Sequence, residues 1–185
     1  MQPVDQLSYI LPTLTVLVDR IEIDQLGRPT PCAEFTVRDV LEHMIGLGGA
    51  FGYWFRGLDV PQDAASTVSD GVPAGRFRTT MEDLLDAVKA PGALERTISA
   101  PVGEMPGDVF ARLVAFDGLV HGWDLATATG LDFDLPLCVI DAVDQFARRA
   151  LSPEMRDGDT FKDETTAPAD ASQLDRLAAF SGRSL

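Results

Sequence analysis

The sequence predicts an all-α protein: a four-helix bundle with one long crossover and short additional helices. Apolar residues recur at steps of three and four in several long segments, which is the period of a helix with one buried face. Strand candidates are few and do not alternate with helices, so an α/β sheet is not indicated. With 185 residues, of which 45% are hydrophobic, the chain can bury one core, and we expect residues 1–185 to form a single domain.

The first two predicted helices are separated by a loop that contains two prolines. The first covers residues 3–24, where these apolar residues keep helical spacing: Leu7, Ile10, Leu11, Leu14, Val18 and Ile21. The second begins at Thr36, a good N-cap, with Asp39 three residues later in the place of a capping-box acid, and it continues to Phe55. Glycines in its middle weaken it by roughly 1 kcal/mol each relative to Ala, and indicate either close helix contact or a kink.

The middle of the chain contains a long loop and the clearest helix. Residues 57–75 are rich in Gly and Pro and predict a loop, and a third helix is expected over residues 76–90. The segment Glu95–Ser99 is a candidate for a short strand. The fourth helix, over residues 108–129, ends at Gly130 as a C-cap. We expect the long crossover to lie between the second and fourth helices.

The last part of the chain predicts two further helices. The fifth starts near Pro136, because proline is tolerated in the first helical turn, and continues to Leu151. The sequence is then polar up to Asp170. Apolar positions from Leu174 to Phe180 predict a short closing helix.

Charge and hydropathy exclude several classes of partner. The net charge is -14, with 15 basic residues against 29 acidic ones, and no basic cluster neutralises phosphates, so we expect no nucleic-acid partner. No run of about 18 apolar residues exists, and a membrane span is not expected. The N-terminus lacks the basic and apolar segments of a signal peptide, which predicts a cytoplasmic protein. The two cysteines are far apart and form no CxxC pair, so a Cys-rich zinc site is excluded.

Three residues form the candidate site for chemistry. His121 follows Asp117 by four residues on the fourth helix, so both side chains share one face, and that face is the apolar one. An inward carboxylate and imidazole need a partner or a metal ion, because an unpaired buried charge costs several kcal/mol. His43 lies on the apolar face of the second helix. Together the three predict a catalytic type of metal site, although an internal ion pair or a hydrogen-bonded core histidine gives the same spacing.

The neighbouring polar and aromatic residues have simpler interpretations. Asp124, three residues after His121, is either the acceptor that orients a ligand imidazole or a solvated carboxylate. Cys32 is interpreted as a buried small hydrophobic residue in preference to a nucleophile. Trp54 and Trp123 are interpreted as packing residues.

Two segments carry a resemblance to a known family. TPCAEFTVRDVLEHMIG and DGLVHGWDLATATG resemble the signatures of the mycothiol-dependent maleylpyruvate isomerase type of metal-binding domain, within the DinB-like helical-bundle superfamily. The ending ADASQLDRLAAFSGRSL is similar to that of an actinobacterial branch described as metal-binding proteins. The resemblance covers nearly the whole chain.

The resemblance implies a metal triad that matches His43, Asp117 and His121. The isomerase is expected to have Glu where this chain has Asp117, and an additional C-terminal domain that 185 residues are too short to contain in full. It also implies a homodimer and a low-molecular-weight thiol, such as mycothiol, acting with a small-molecule substrate. Two imidazoles and a carboxylate suit Zn or Ni.

Three functional hypotheses are therefore compatible with the sequence. The first is a metal-dependent transferase or isomerase that uses a thiol. The second is a non-enzymatic, stress-related module that binds a metal or small ligand. The third is a bundle without metal, in which Asp117 is paired with a histidine.

Overall fold

The computed structural model describes residues 1–61, 71–101, 103–151, 156 and 162–185, and this part of the chain is mostly helical. Its elements are, in chain order, α1 (Pro3–Asp19), a 3₁₀ turn (Ile23–Gln25), α2 (Val37–Arg56), α3 (Ala74–Lys89), β1 (Thr97–Ala100), β2 (Gly103–Pro106), α4 (Gly107–Thr129), α5 (Leu137–Ala150) and α6 (Gln173–Phe180). None of the helices in the described residues is long and apolar enough to cross a membrane.

Helices α1 to α4 form a four-helix bundle. Helices α1 and α2 each pack against both α3 and α4, so they lie diagonally across the bundle from one another. The ion pairs Arg76–Glu42 and Arg56–Asp83 join α3 to α2 in the same order along both helices, which shows that these two helices run parallel. A parallel pair needs a long connection.

The position of the crossover corrects the sequence prediction. The long connection joins α2 to α3, not α2 to α4, and α3 is itself one of the four helices of the bundle. The polypeptide between α3 and α4 instead forms a hairpin, in which buried Ile98 of β1 pairs with Met105 of β2. The predicted strand is therefore found slightly later in the chain, and the sequence did not predict its partner.

The first helix is shorter than predicted. It ends at Asp19, and the chain then makes a 3₁₀ turn at Ile23–Gln25 in place of another helical turn. The side-chain amide of buried Gln25 donates a hydrogen bond to the carbonyl of Thr129 (3.0 Å), while its oxygen accepts one from the backbone N–H of Glu22 (2.8 Å). The bond to Thr129 ties the turn to the end of α4. This tertiary contact holds residues 20–25 outside the helix, although their apolar residues keep helical spacing.

Glycines allow the helices around the site to approach closely. A Cβ at Gly122 of α4 would lie 2.3 Å from the ring of Phe133 and 2.8 Å from Leu14 of α1. A Cβ at Gly48 of α2 would lie 3.0 Å from Met81 of α3. At Gly48, the alternative of close helix contact is therefore confirmed.

The C-terminal segment closes one side of the bundle. Helix α6 packs against α4 and α5, and the indole Nε1 of Trp123 donates a hydrogen bond to Asp175 (2.8 Å). Trp123 is buried, as expected of a packing residue. After α6 the chain turns at Gly182, whose φ of 95° is in the left-handed region that favours glycine. This turn directs Arg183 towards α4.

Candidate metal centre and its cavity

The three predicted site residues meet between α2 and α4. His43 lies on α2, and Asp117 and His121 lie one turn apart on α4. The two imidazole rings contact each other edge to face, with centroids 4.9 Å apart and an angle of 72° between their planes. Each of the three residues offers a donor atom within 4.8 Å of the others.

The spacing of these donors fits a divalent ion. Asp117 Oδ1 lies 3.5 Å from His121 Nε2, which is long for a charged hydrogen bond. Two donors around a tetrahedral zinc ion, each about 2.0–2.1 Å from the metal, are separated by about 3.4 Å. Two imidazole nitrogens and one carboxylate oxygen also form a common donor set for a catalytic site with an open position. The residues present therefore fit a metal ion in their chemistry, and the separation of the Asp117 and His121 donors fits it as well.

Asp124 contacts the other side of the same imidazole. It is fully buried, which excludes the solvated alternative, and its Oδ2 lies 3.0 Å from His121 Nδ1. In the neutral imidazole, a carboxylate at Nδ1 favours the tautomer with the proton on that nitrogen, which leaves the lone pair of Nε2 directed towards Asp117 and His43.

Arg183 balances the charge of Asp124. Its Nε donates a hydrogen bond to Asp124 Oδ1 (3.2 Å), and its Nη2 donates one to Oδ2 (2.9 Å). This two-point contact joins the C-terminal segment to α4 and gives the buried carboxylate a full counter-charge. The order of contacts is thus Arg183, Asp124, His121 and then the donor cluster.

The two histidines have opposite shifts in acidity. Burial lowers the pKa of His43, and the carboxylate of Asp117 only partly opposes this effect. Burial alone would also lower the pKa of His121, but the carboxylates of Asp117 and Asp124 outweigh it and raise that pKa. His121 is therefore held by negative charge on both sides of its ring.

A cavity of about 480 Å³ opens beside the donor cluster. Most of its wall is apolar and includes Trp54, which also packs against the core as the sequence predicted. Lys162 and Arg183 line the end of the cavity that contains the donors.

Cys32 lies at the same end and forms a second possible donor group with His121 and Asp124. This group is the poorer metal site, because the oxygens of Asp124 are already occupied by Arg183 and by His121 Nδ1. The sequence predicted a buried small hydrophobic residue at Cys32; the side chain packs against the core but is only half-buried, because it also lines the cavity. Burial raises the pKa of its thiol, which keeps it in the protonated, weakly nucleophilic form.

The sequence did not predict the roles of Lys162 and Arg183. Both come from the C-terminal segment, and neither shares a helix with the donors. The signal that was available is chemical: a buried aspartate such as Asp124 requires a cation from elsewhere in the chain.

Comparisons with known proteins agree with the resemblance drawn from the motifs. Residues 11–126 match the family described as the mycothiol maleylpyruvate isomerase N-terminal domain, and this range contains the donor cluster and Asp124. Two relatives, both called uncharacterized proteins, are MT0763 and Rv0738 of Mycobacterium tuberculosis strains CDC 1551 and H37Rv. Each is 36% identical to this chain over 176 residues, which is 91% of the chain and 91% of the relative.

No solved structure matches the chain. The family match covers more than half of the sequence, and both relatives extend the similarity to nearly its full length. The chain therefore belongs to the family of the mycothiol maleylpyruvate isomerase N-terminal domain.

Proposed function

We propose that His43, Asp117 and His121 bind one divalent metal ion, and that the protein is a metal-dependent enzyme that uses a low-molecular-weight thiol such as mycothiol. The observation that carries the proposal is the meeting of these three donors, from two helices, at the end of a cavity large enough for a small molecule. Zn and Ni both suit the donor set. A bound ion would supply Lewis acidity, which lowers the pKa of a thiol or water that it coordinates.

The protein's own residues prepare the site in three ways. Asp124 holds His121 in the orientation that presents Nε2 to the cluster, and Arg183 fixes Asp124 with two hydrogen bonds. The apolar wall of the cavity limits the access of water. Cys32 keeps its proton, so the nucleophilic sulfur is expected to come from the bound thiol and not from the protein.

The proposal also covers the superfamily, the assembly and the type of reaction. We place the bundle in the DinB-like superfamily, because it combines four helices with a long crossover between α2 and α3. Residues 1–185 would act as one domain, as a homodimer in the cytoplasm. The reaction would be a thiol-dependent transfer or isomerisation of a small-molecule substrate.

Metal analysis is the first test. Protein purified without a histidine tag should contain close to one ion per chain of Zn or Ni, and the exposed-site variant Asp132→Asn should match it. A chain that binds no ion at any metal concentration would support the third alternative, in which Asp117 is paired with His121 without a metal.

A second test separates the enzyme from the non-enzymatic module. Metal-loaded protein is incubated with mycothiol and either maleylpyruvate or a chlorinated aromatic electrophile. We expect isomerisation of the first or loss of free thiol with the second, at a rate that disappears in His43→Ala. Stoichiometric metal with no turnover of either substrate would favour the module that binds ligands without catalysis.

A further inference from the structure

The cavity beside the donors has two chemically different ends. Phe51 and Trp54 on α2 and Phe110 on α4 line the cavity about two turns or more from the donors, and the apolar side chains of Leu47 and Leu113 lie between these rings and the donors. The aromatic members pack against one another, with ring centroids 5.1 Å apart for Phe51 and Phe110 and 5.8 Å apart for Trp54 and Phe110. Such a wall favours a ligand with an aromatic ring, which can pack against the rings of these side chains.

The other end carries positive charge. The charge of Arg183 is balanced by Asp124, but Lys162 is exposed, and no carboxylate among the described residues forms an ion pair with it. Arg183 and Lys162 line the same cavity as Cys32. The chain has a net charge of -14, so two cationic side chains at one end of a cavity give that end a local charge opposite to that of the whole chain.

We propose that this cavity binds a small amphipathic molecule, whose aromatic body lies against Phe51, Trp54 and Phe110 and whose anionic head group lies at the end with Lys162 and the donor cluster. The assignment of the head group rests on the proposed function, because a divalent ion would supply most of the positive charge at that end. The assignment of the aromatic body rests on the apolar wall alone. A volume of about 480 Å³ is within the range of cavities that bind drug-sized ligands.

Isothermal titration calorimetry with three probes of equal length tests both parts. The probes are phenylbutyrate, phenylbutanol and phenylbutylamine, titrated into the full chain with its metal content measured and again after chelation. In metal-loaded protein we expect the carboxylate to bind about tenfold more tightly than the alcohol and the amine to bind most weakly. Chelation should reduce the advantage of the carboxylate but leave the affinity for the alcohol within about twofold.

Two pairs of variants locate the probe. Leu113→Gln places an amide in the apolar wall and should weaken all three probes about tenfold, whereas Val16→Gln, at a position 60% exposed on α1, should weaken none. Lys162→Gln should lower the affinity for the carboxylate about threefold and leave the alcohol unchanged, whereas Lys89→Gln should alter neither. Fluorescence of Trp54 in a Trp123→Phe background gives an independent readout, because Trp54 is then the remaining tryptophan.

The outcomes separate this inference from the proposed function. Metal at one ion per chain, with no saturable binding of any probe, would overturn the inference and leave the metal site intact. Probe binding weakened by Leu113→Gln, in a chain that holds no metal, would support the aromatic body and contradict the proposed function. Binding of the amine at least as tight as that of the carboxylate in metal-loaded protein would overturn the anionic head group.

Discussion

Asp117 and Asp124 are two carboxylates on one helix that contact the same imidazole ring from opposite sides. Asp124 is fully buried and accepts hydrogen bonds from Arg183, so its charge is balanced within the protein. The side chain of Asp117 is 34% exposed, and its ion-pair partner among the described residues is His121 alone, at 3.5 Å. The difference lies in the other partners of each carboxylate. Because Asp124 is already paired with Arg183, it is suited to orient His121, whereas Asp117 has no such cation in the described part of the chain and is available to a metal ion.

Stability should show the largest difference between the two carboxylates. Asp124→Asn leaves the guanidinium of Arg183 largely buried without a counter-charge, and we expect the free energy of unfolding to fall by about 3–5 kcal/mol. Asp117→Asn removes a partly solvated charge and should change it by less than about 1 kcal/mol. Urea denaturation of metal-free protein measures both. Equal losses for the two variants would contradict the distinction.

Metal binding should depend more on Asp117 than on Asp124, which is the reverse of the order for stability. Asp117→Asn, His43→Ala and His121→Ala each remove a proposed donor, and each should weaken metal binding by more than about 100-fold, beyond the usual effect of a residue that only orients a ligand. Asp117→Glu should retain the ion, because the donor type is kept. Metal content after dialysis against a weak chelator is the measurement, with Asp132→Asn as the control.

If His43→Ala retained full occupancy, the ion would have to lie elsewhere, for instance at the group that contains Cys32. Cys32→Ser tests that alternative directly. It should leave the metal content unchanged if His43, Asp117 and His121 are the ligands.

Arg183 should have an intermediate effect on the metal. Arg183→Met removes the counter-charge of Asp124 and loosens the orientation of His121, and we expect metal affinity to fall about tenfold. Arg183→Lys keeps the charge but cannot reproduce the two-point contact, so it should recover the affinity only in part. Competition with a coloured chelator measures these affinities. A variant Arg183→Met with unchanged affinity would show that Arg183 serves stability alone.

Histidine titration in metal-free protein is the smallest and most local effect. His121 should titrate above the ordinary histidine pKa of 6.5, because two carboxylates outweigh its burial, and His43 should titrate below it. With two histidines in the chain, NMR signals are assigned by the single variant His43→Ala. Asp117→Asn and Asp124→Asn should each lower the pKa of His121. A pKa for His43 above that of His121 would contradict the charge distribution described here.

The meeting of His43, Asp117 and His121 could be predicted from the sequence. Asp117 and His121 lie one turn apart within a long helix, so local periodicity alone puts them on one face, and His43 lies on the matching face of α2. That the three act as metal ligands stays a prediction from both the spacing and the family resemblance. The boundaries of α3 and α4 also agree closely with prediction, since Gly and Pro mark their ends.

The remaining features depend on contacts that local periodicity does not encode. The parallel arrangement of α2 and α3 depends on the packing of the whole bundle, and ion pairs such as Arg56–Asp83 reflect it. The docking of α6 on α4 brings Arg183 to Asp124, although the two residues are 59 positions apart in the sequence. Trp54 and Cys32 line a cavity because of how helices and loops surround them, whereas the sequence indicated only that both are apolar enough to be buried.

The link between Arg183 and Asp124 also bears on the order in which the molecule assembles. Arg183 follows α6, which packs against α4 and α5, so the link forms only once these three helices have docked. During synthesis, α4 leaves the ribosome well before its counter-charge does. We therefore expect the bundle of α1 to α4 to collapse first with Asp124 still hydrated, and the imidazole of His121 to become fixed only in the last folding step.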